Sequence, residues 1–281
     1  MAELTDALRA DLVATAHLLA DAARTATLEH FRSADLSAET KETHRFDPVT
    51  VADRQAETRM REILAQRRPQ DGVLGEEFGA TEGSSGLTWL LDPIDGTRGY
   101  LSGTPTWGVL ISVASDQGPL FGLIDQPYIG ERFIGGFGQA ELVGPMGSRA
   151  LRTRAARPLD QAILLSTFPE VGTPTEAAAF RRVSKATRLT RYGMDCYGYA
   201  LLALGQVDLV IEAGLQAYDI HAPIAVVQAA GGIVTNWQGQ RCDDGGQVLA
   251  AANPAIHQAT LILLNSGTQD VGAQDVGAQD S

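Results

Sequence analysis

Two aspartates three residues apart, Asp92 and Asp95, lie in the run Trp89-Leu90-Leu91-Asp92-Pro93-Ile94-Asp95-Gly96-Thr97. Carboxylates in this spacing can hold a hard divalent cation, which takes oxygen ligands. Three further acids, Asp53, Glu76 and Asp219, each fall at the end of an expected strand or the start of an expected helix. Unpaired carboxylates gathered within ~4 Å would repel by about 4 kcal/mol per pair at an effective dielectric of about 20. Such a cluster either raises its own pKa values or recruits cations. An all-oxygen donor set suits Mg²⁺ or Mn²⁺ rather than zinc. Two such ions ~3.5–4 Å apart would activate a water on one side and stabilise a leaving oxygen on the other, the layout for hydrolysis of a phosphate ester. Taken singly, each acid has a plainer reading. Asp92 and Asp95 would do ordinary turn chemistry, Asp53 would be a helix-start aspartate, and Glu76-Glu77 would be a solvated corner.

Other chemistries find little footing. The chain has no Gly-x-Ser-x-Gly elbow for a serine nucleophile. It has no phosphate-binding Gly-x-x-x-x-Gly-Lys-Ser/Thr loop and no Gly-x-Gly-x-x-Gly. Phosphatases with a covalent aspartyl intermediate carry Asp-x-Asp-Gly-Thr. Here Pro93 stands where that nucleophile would be, which favours direct attack by water activated at the metal.

The elements that must position these acids follow from periodicity. Residues 6–32 keep apolar side chains at a rough three-to-four spacing and predict a long helix. A polar loop is expected over 33–45, from which Lys41 and Glu42 could reach a site, then an extended stretch held by Pro48. A helix is expected over 51–67, with Asp53 in its first turn. Val73 to Gly75 reads as a short strand delivering Glu76, followed by a Gly/Ser-rich loop over 79–86. Trp89 to Leu91 reads as a buried strand ended by Asp92-Pro93, since proline lacks the amide that continues a ladder. Strands over 106–114, 120–126, 131–135 and 139–143 predict an antiparallel meander. The segment 144–158, with Arg149, Arg152, Arg154 and Arg157, reads as a solvated boundary.

Beyond it, helices alternate with strands. Thr173-Pro174-Thr175-Glu176 is a capping-box start. Gly193-Met194-Asp195-Cys196 leads into a helix, a strand ends at Glu212, and Tyr218-Asp219 opens a helix stopped by Gly231-Gly232. The organisation expected is an α+β half over 1–150, an α/β half over 151–264 and a disordered tail over 265–281, which repeats Val-Gly-Ala-Gln-Asp.

Composition sets outer bounds. The chain has 281 residues, is 44% hydrophobic and 20% charged, and carries a net charge of −12. That charge argues against nucleic acid or an anionic membrane as a partner. It does not exclude an anionic substrate, because bound cations can invert the local field. No apolar run approaches the ~20 residues of a membrane span, and the first residues lack a signal-peptide pattern, so a cytoplasmic location is expected. Cys196 and Cys242 form neither a disulfide framework nor a zinc site.

With these residues in view, the chain resembles the inositol monophosphatase family of Mg²⁺-dependent, lithium-sensitive phosphatases. The resemblance rests on Gly75-Glu76-Glu77, on Trp89 to Thr97, and on Tyr218-Asp219 followed by an apolar helix and Gly231-Gly232, in that order. It covers residues 6–264 and implies a layered αβαβα sandwich of the inositol monophosphatase and fructose-1,6-bisphosphatase type, usually dimeric. By the same resemblance, Glu76, Asp92 and the Ile94 carbonyl would bind a first Mg²⁺. Asp92, Asp95 and Asp219 would bind a second, with Glu76 touching a third, loosely held ion, and Mn²⁺ could substitute. Thr97 with Asp53 would position the attacking water, and the Gly96 and Thr97 amides would receive the phosphate.

Within the family, the run Gly122 to Pro127 on to Gly130-Glu131-Arg132, with Asp95 to Arg98, Ser102 to Gly108 and Gly193 to Tyr197, looks like the histidinol-phosphate phosphatase branch of histidine biosynthesis. Histidinol carries an ammonium and an imidazole, so its pocket calls for carboxylates. Asp195 and Glu212 could supply them, and Arg98 could reach the phosphate or serve as a structural ion pair. The alternatives are an inositol 1-phosphate phosphatase, or a 3′-phosphoadenosine 5′-phosphate phosphatase suggested by Tyr100. A non-catalytic metal-dependent binding protein would lack a ligand, and none is missing here.

Overall fold

The computed structural model describes residues 4–34, 36–40 and 48–266. The expectations for Lys41, Glu42 and the tail after residue 266 lie outside the described residues. Helix α1 (Asp6–His30) is capped by Thr5, whose hydroxyl accepts from the Leu8 amide at 3.2 Å. Strands β1 (Ala38–Thr40) and β2 (Pro48–Thr50) pair antiparallel, so the segment expected to be loop contributes a short strand. Helix α2 (Val51–Arg67) follows with the expected bounds.

Next come β3 (Gly72–Gly75), β4 (Gly79–Thr81), β5 (Thr88–Asp95), the six-residue helix α3 (Thr97–Ser102), β6 (Gly108–Ser115), β7 (Gly118–Gln126), β8 (Glu131–Gly136), β9 (Gln139–Gly144) and β10 (Gly147–Ala150). They build an eight-stranded sheet in the order β10-β9-β8-β7-β6-β5-β3-β4, antiparallel except where β3 runs parallel to β5. After a single 3-10 turn come β11 (Ile163–Ser166), α4 (Pro174–Ala186), β12 (Leu189–Tyr192), α5 (Asp195–Ala203), β13 (Leu209–Leu215), α6 (Ala217–Ala229), β14 (Ile233–Thr235), β15 (Gly246–Ala251) and α7 (Pro254–Asn265). Their strands form a mixed five-stranded sheet in the order β12-β11-β13-β15-β14.

Three main apolar cores join five layers, the middle one lying on both sides of α5 and α6. Strand side chains alternate faces with a period of two. In β6 and β7, Val109, Ile111, Val113, Phe121 and Leu123 face α1 and α2, together with Leu12, Leu19 and Met60. Leu110 and Ile124 face the other way, into a core with Leu202, Ile220, Val226, Val210 and Ala250. On the far face of the second sheet, Leu209, Ile211 and Leu249 meet Phe180, Val183, Ile256 and Leu264 of α4 and α7. The order is therefore helices, sheet, helices, sheet, helices: a layered α/β sandwich. Gly122 and Gly135 let α6 lie close against the first sheet, since a Cβ at either would stand 2.6 Å or less from α6 backbone atoms.

Three local expectations need correction. Strand β5 does not stop at Asp92-Pro93 but continues to Asp95. The register slips there, with Asp92 opposite Leu110 and Asp95 opposite Gly108, so one extra residue is accommodated as a bulge. A bulge is where a strand tolerates proline. Strands β4 and β10 occupy stretches expected to be irregular; both are exposed edges without an apolar face. Finally, Arg154 and Arg157 are not a solvated cluster, because both pair with the fully buried Asp208, at 3.1 and 3.2 Å.

Candidate active site

The bulge in β5 gathers the carboxylates. Parallel pairing sets Gly75 opposite Leu91, and the Glu76 amide donates to the Leu91 carbonyl at 3.1 Å. Glu76 is thereby delivered beside Asp92. The Ile94 amide, freed from the ladder by the bulge, donates to Asp92 Oδ1 at 3.0 Å. Asp95 Oδ2 accepts from the Cys196 amide at the start of α5, at 2.5 Å. Asp219 lies in the first turn of α6 and accepts from the Gln216 amide at 2.7 Å. Asp92, Asp95 and Asp219 each place one carboxylate oxygen within 4.8 Å of the others. Asp53, in the first turn of α2, accepts from the Thr50 amide at 2.8 Å and the Thr50 hydroxyl at 2.5 Å. Its Oδ1 is 3.5 Å from the Thr97 hydroxyl, which lies 3.1 Å from the Ile94 carbonyl.

Burial and mutual repulsion act together on these acids. Asp92 is driven well above the ordinary carboxylate range, first by burial and then by Glu76, Asp95 and Asp219. Burial and the charge of Asp219 push Asp95 to about 7. Burial pushes Asp53 to about 6, against the opposing pull of its Thr50 hydrogen bonds. Carboxyls that hinder one another's ionisation this strongly are the groups a divalent cation relieves. The donors are hard oxygens, so they fit such an ion in chemistry as well as in charge.

The turn after β5 is held from below. Ile94, Tyr100, Trp107 and Phe31 pack into a small buried cluster, and the Tyr100 hydroxyl donates to the Thr27 carbonyl at 2.6 Å. Tyr100 is fully buried, so it offers no face on which an adenine could stack. Gly96 caps α3 with φ of 87°, a left-handed conformation, and a Cβ there would stand 2.8 Å from Asp195 Cγ.

A cleft of about 370 Å³ opens over the cluster, within the range of small-molecule sites (~300–1,000 Å³). Glu76, Asp92, Asp95, Thr97 and Asp219 line it on one side; Arg98, Asp195 and Glu212 extend it. Glu212 shares the strand parity of Val210 and so points inward. It accepts from the Thr167 amide at 2.7 Å and the Thr167 hydroxyl at 3.0 Å, and burial pushes it to about 8. Asp195 has φ of 45°, uncommon for a residue with a side chain. Burial and the charge of Asp95 push it to about 7, while Arg98 pulls the other way. The Arg98 guanidinium also lies 4.7 Å from the Phe168 ring centroid. Thr167 and Phe168, in the loop after β11, escaped sequence reasoning because that loop carries no motif. Asp53 is the one expected site residue that does not line this cleft; it approaches it through Thr97.

Comparison with known proteins agrees with this geometry. The sequence matches the inositol monophosphatase family over residues 9–269. It is 37% identical over 270 residues to the bifunctional phosphatase IMPL2 of Arabidopsis thaliana, covering 92% of this chain and 76% of that protein. It is 34% identical over 253 residues to a histidinol-phosphatase of Mycobacterium tuberculosis, covering 89% and 96%. Its fold superposes on an inositol monophosphatase from Zymomonas mobilis with a TM-score of 0.81 and 37% identity, over 91% of this chain and 98% of that one. Fold, motif order and sequence agree, and the chain belongs to the inositol monophosphatase family, whose members are phosphomonoester hydrolases.

Proposed function

We propose that this protein hydrolyses L-histidinol phosphate to L-histidinol and phosphate, using Mg²⁺ held by Glu76, Asp92, the Ile94 carbonyl, Asp95 and Asp219. The observation that carries the substrate is the pair Asp195 and Glu212. Glu212 is buried and Asp195 half-buried in the same cleft as the acidic cluster. A substrate with an ammonium and an imidazole gives such acids something to pair with. The similarity to a histidinol-phosphatase supports the same reading.

The bound cations would supply Lewis-acid polarisation of the phosphate and a water acidic enough to attack it. The protein's own groups do the rest. The Gly96 and Thr97 amides, at the start of α3, receive the phosphate oxygens. Thr97 orients the water. Asp53, with a pKa of about 6, is placed to take up the proton that the water sheds. The new P–O bond forms to the water oxygen as the ester P–O bond breaks, and the departing alcohol oxygen takes a proton from solvent.

A second reading has its own observation. Glu212 holds its proton to about 8, and a protonated carboxyl can hydrogen-bond a sugar hydroxyl. An inositol phosphate would then be the substrate, as in the Zymomonas mobilis neighbour. Steady-state kinetics of Asp195→Ala on both esters separates the two. On the histidinol-phosphate reading, kcat/KM for that ester falls about tenfold or more, the cost of an ion pair of at least ~1.4 kcal/mol. Turnover of inositol 1-phosphate then changes far less. Equal losses on both esters would remove the case for Asp195 as the ammonium partner.

A further inference from the structure

Glu57 is fully buried on α2, one helical turn beyond Asp53, and touches none of the cleft. Its carboxylate accepts three hydrogen bonds. Oε2 accepts from the Glu77 amide at 2.7 Å; Oε1 accepts from the Phe78 amide at 3.3 Å and from Arg61 Nε at 2.7 Å. Arg61 also donates to the Thr81 hydroxyl at 3.2 Å. The backbone immediately after Glu76 is thus bolted to the helix that carries Asp53. Gly75 is part of the same joint, because a Cβ there would sit 1.9 Å from Glu57 Oε1. Glu76 stands between Gly75, which makes room for this carboxylate, and Glu77, which donates to it.

We infer that Glu57 is a positioning residue: it fixes the direction in which Glu76 presents its carboxylate to the metal, and so sets metal affinity from outside the cleft. This rests on the reading of Glu76 as a metal ligand. A carboxylate suits the task because it only accepts, and all three of its partners only donate. Glutamine in either orientation turns its NH₂ toward at least one of those donors. Residues that orient metal ligands typically change metal affinity by ~10–100-fold when altered.

The test is direct Mn²⁺ titration by calorimetry on the full-length protein, with far-UV circular dichroism and urea unfolding of each variant. Four variants are compared. Glu57→Gln removes the acceptor. Gly75→Ala pushes the intact carboxylate aside, since the added Cβ meets the carboxylate end of Glu57. Glu76→Gln removes the ligand. Asp208→Asn breaks a buried carboxylate–arginine cluster remote from the cleft and controls for lost stability. The expected result is Mn²⁺ binding weakened about tenfold in Glu57→Gln and Gly75→Ala, at least as much in Glu76→Gln, and unchanged in Asp208→Asn. Folded Glu57→Gln or Gly75→Ala protein that binds Mn²⁺ like wild type, beside a weakened Glu76→Gln, would overturn the positioning role alone. Equal weakening in Asp208→Asn would reduce the effect to lost stability and overturn it too. Wild-type affinity in Glu76→Gln would remove the ligand reading itself, and the inference with it.

Discussion

Glu212→Gln is expected to stabilise the metal-free protein at alkaline pH and to leave it nearly unchanged at acid pH. Burial holds the Glu212 proton from the ordinary 4.5 up to about 8. Below about 4.5 the carboxyl is protonated in both folded and unfolded chains, so it exerts no pH-dependent effect. Between these values the unfolded chain ionises while the folded one keeps its proton, and folding stability falls as pH rises. Above about 8 the loss is complete. At about 1.4 kcal/mol per pKa unit, the ceiling on that loss is about 5 kcal/mol. Asp195 and Asp95 contribute to the same field, so part of the total belongs to them, and ~2–5 kcal/mol is the working range. Glutamine carries no proton to lose, and its carbonyl can still accept from the Thr167 amide and hydroxyl. The assay is urea unfolding in a chelator from about pH 5 to about pH 8.5, where the advantage of the variant should grow steadily. If both proteins lose stability in parallel across that window, the burial argument for Glu212 is wrong.

Two further outcomes follow from the geometry of the turn and the cluster. Gly96→Ala adds a Cβ at φ of 87° and against Asp195, so urea unfolding should show a loss of about 2–3 kcal/mol and phosphate release should fall at least tenfold; wild-type behaviour would mean the turn has slack. Asp92→Asn removes the most confined carboxylate of the cluster, so Mg²⁺-dependent phosphate release should fall by more than the ~10–100-fold typical of residues behind the ligands, and Mg²⁺ should no longer raise the unfolding midpoint; retained turnover would contradict the ligand assignment.

What the sequence made legible, and what it hid, has physical causes. Helix α2 could be bounded at Val51 and Arg67 because Pro48 holds the stretch before it extended and its own residues carry a local periodicity; the Thr50–Asp53 capping box that closes its start is seen only in the fold. Asp92, Asp95, Glu76 and Asp219 could be listed together because each is marked by its own short motif, and the fold does bring them to one place. The continuation of β5 past Pro93 was hidden, because a bulge is a property of the pair β5–β6 and not of either strand alone. Strands β4 and β10 were hidden because edge strands with no buried face have no periodicity to read. Arg154 and Arg157 looked solvated because their partner, Asp208, lies about fifty residues further along the chain. Glu57 was passed over for the same reason. A glutamate within a charged helix reads as surface until the turn at Glu77 and Phe78 folds onto it.

On the proposed function, this cleft cleaves the phosphate of an ester whose alcohol carries a positive charge. Wild-type kcat/KM for L-histidinol phosphate and inositol 1-phosphate, measured side by side with Mg²⁺ and with a chelator, tests it most directly. Mg²⁺-dependent release of phosphate is expected from both or from the first alone, with a preference of at least about tenfold for L-histidinol phosphate, the equivalent of ~1.4 kcal/mol of added transition-state binding. A clear preference for inositol 1-phosphate would contradict it.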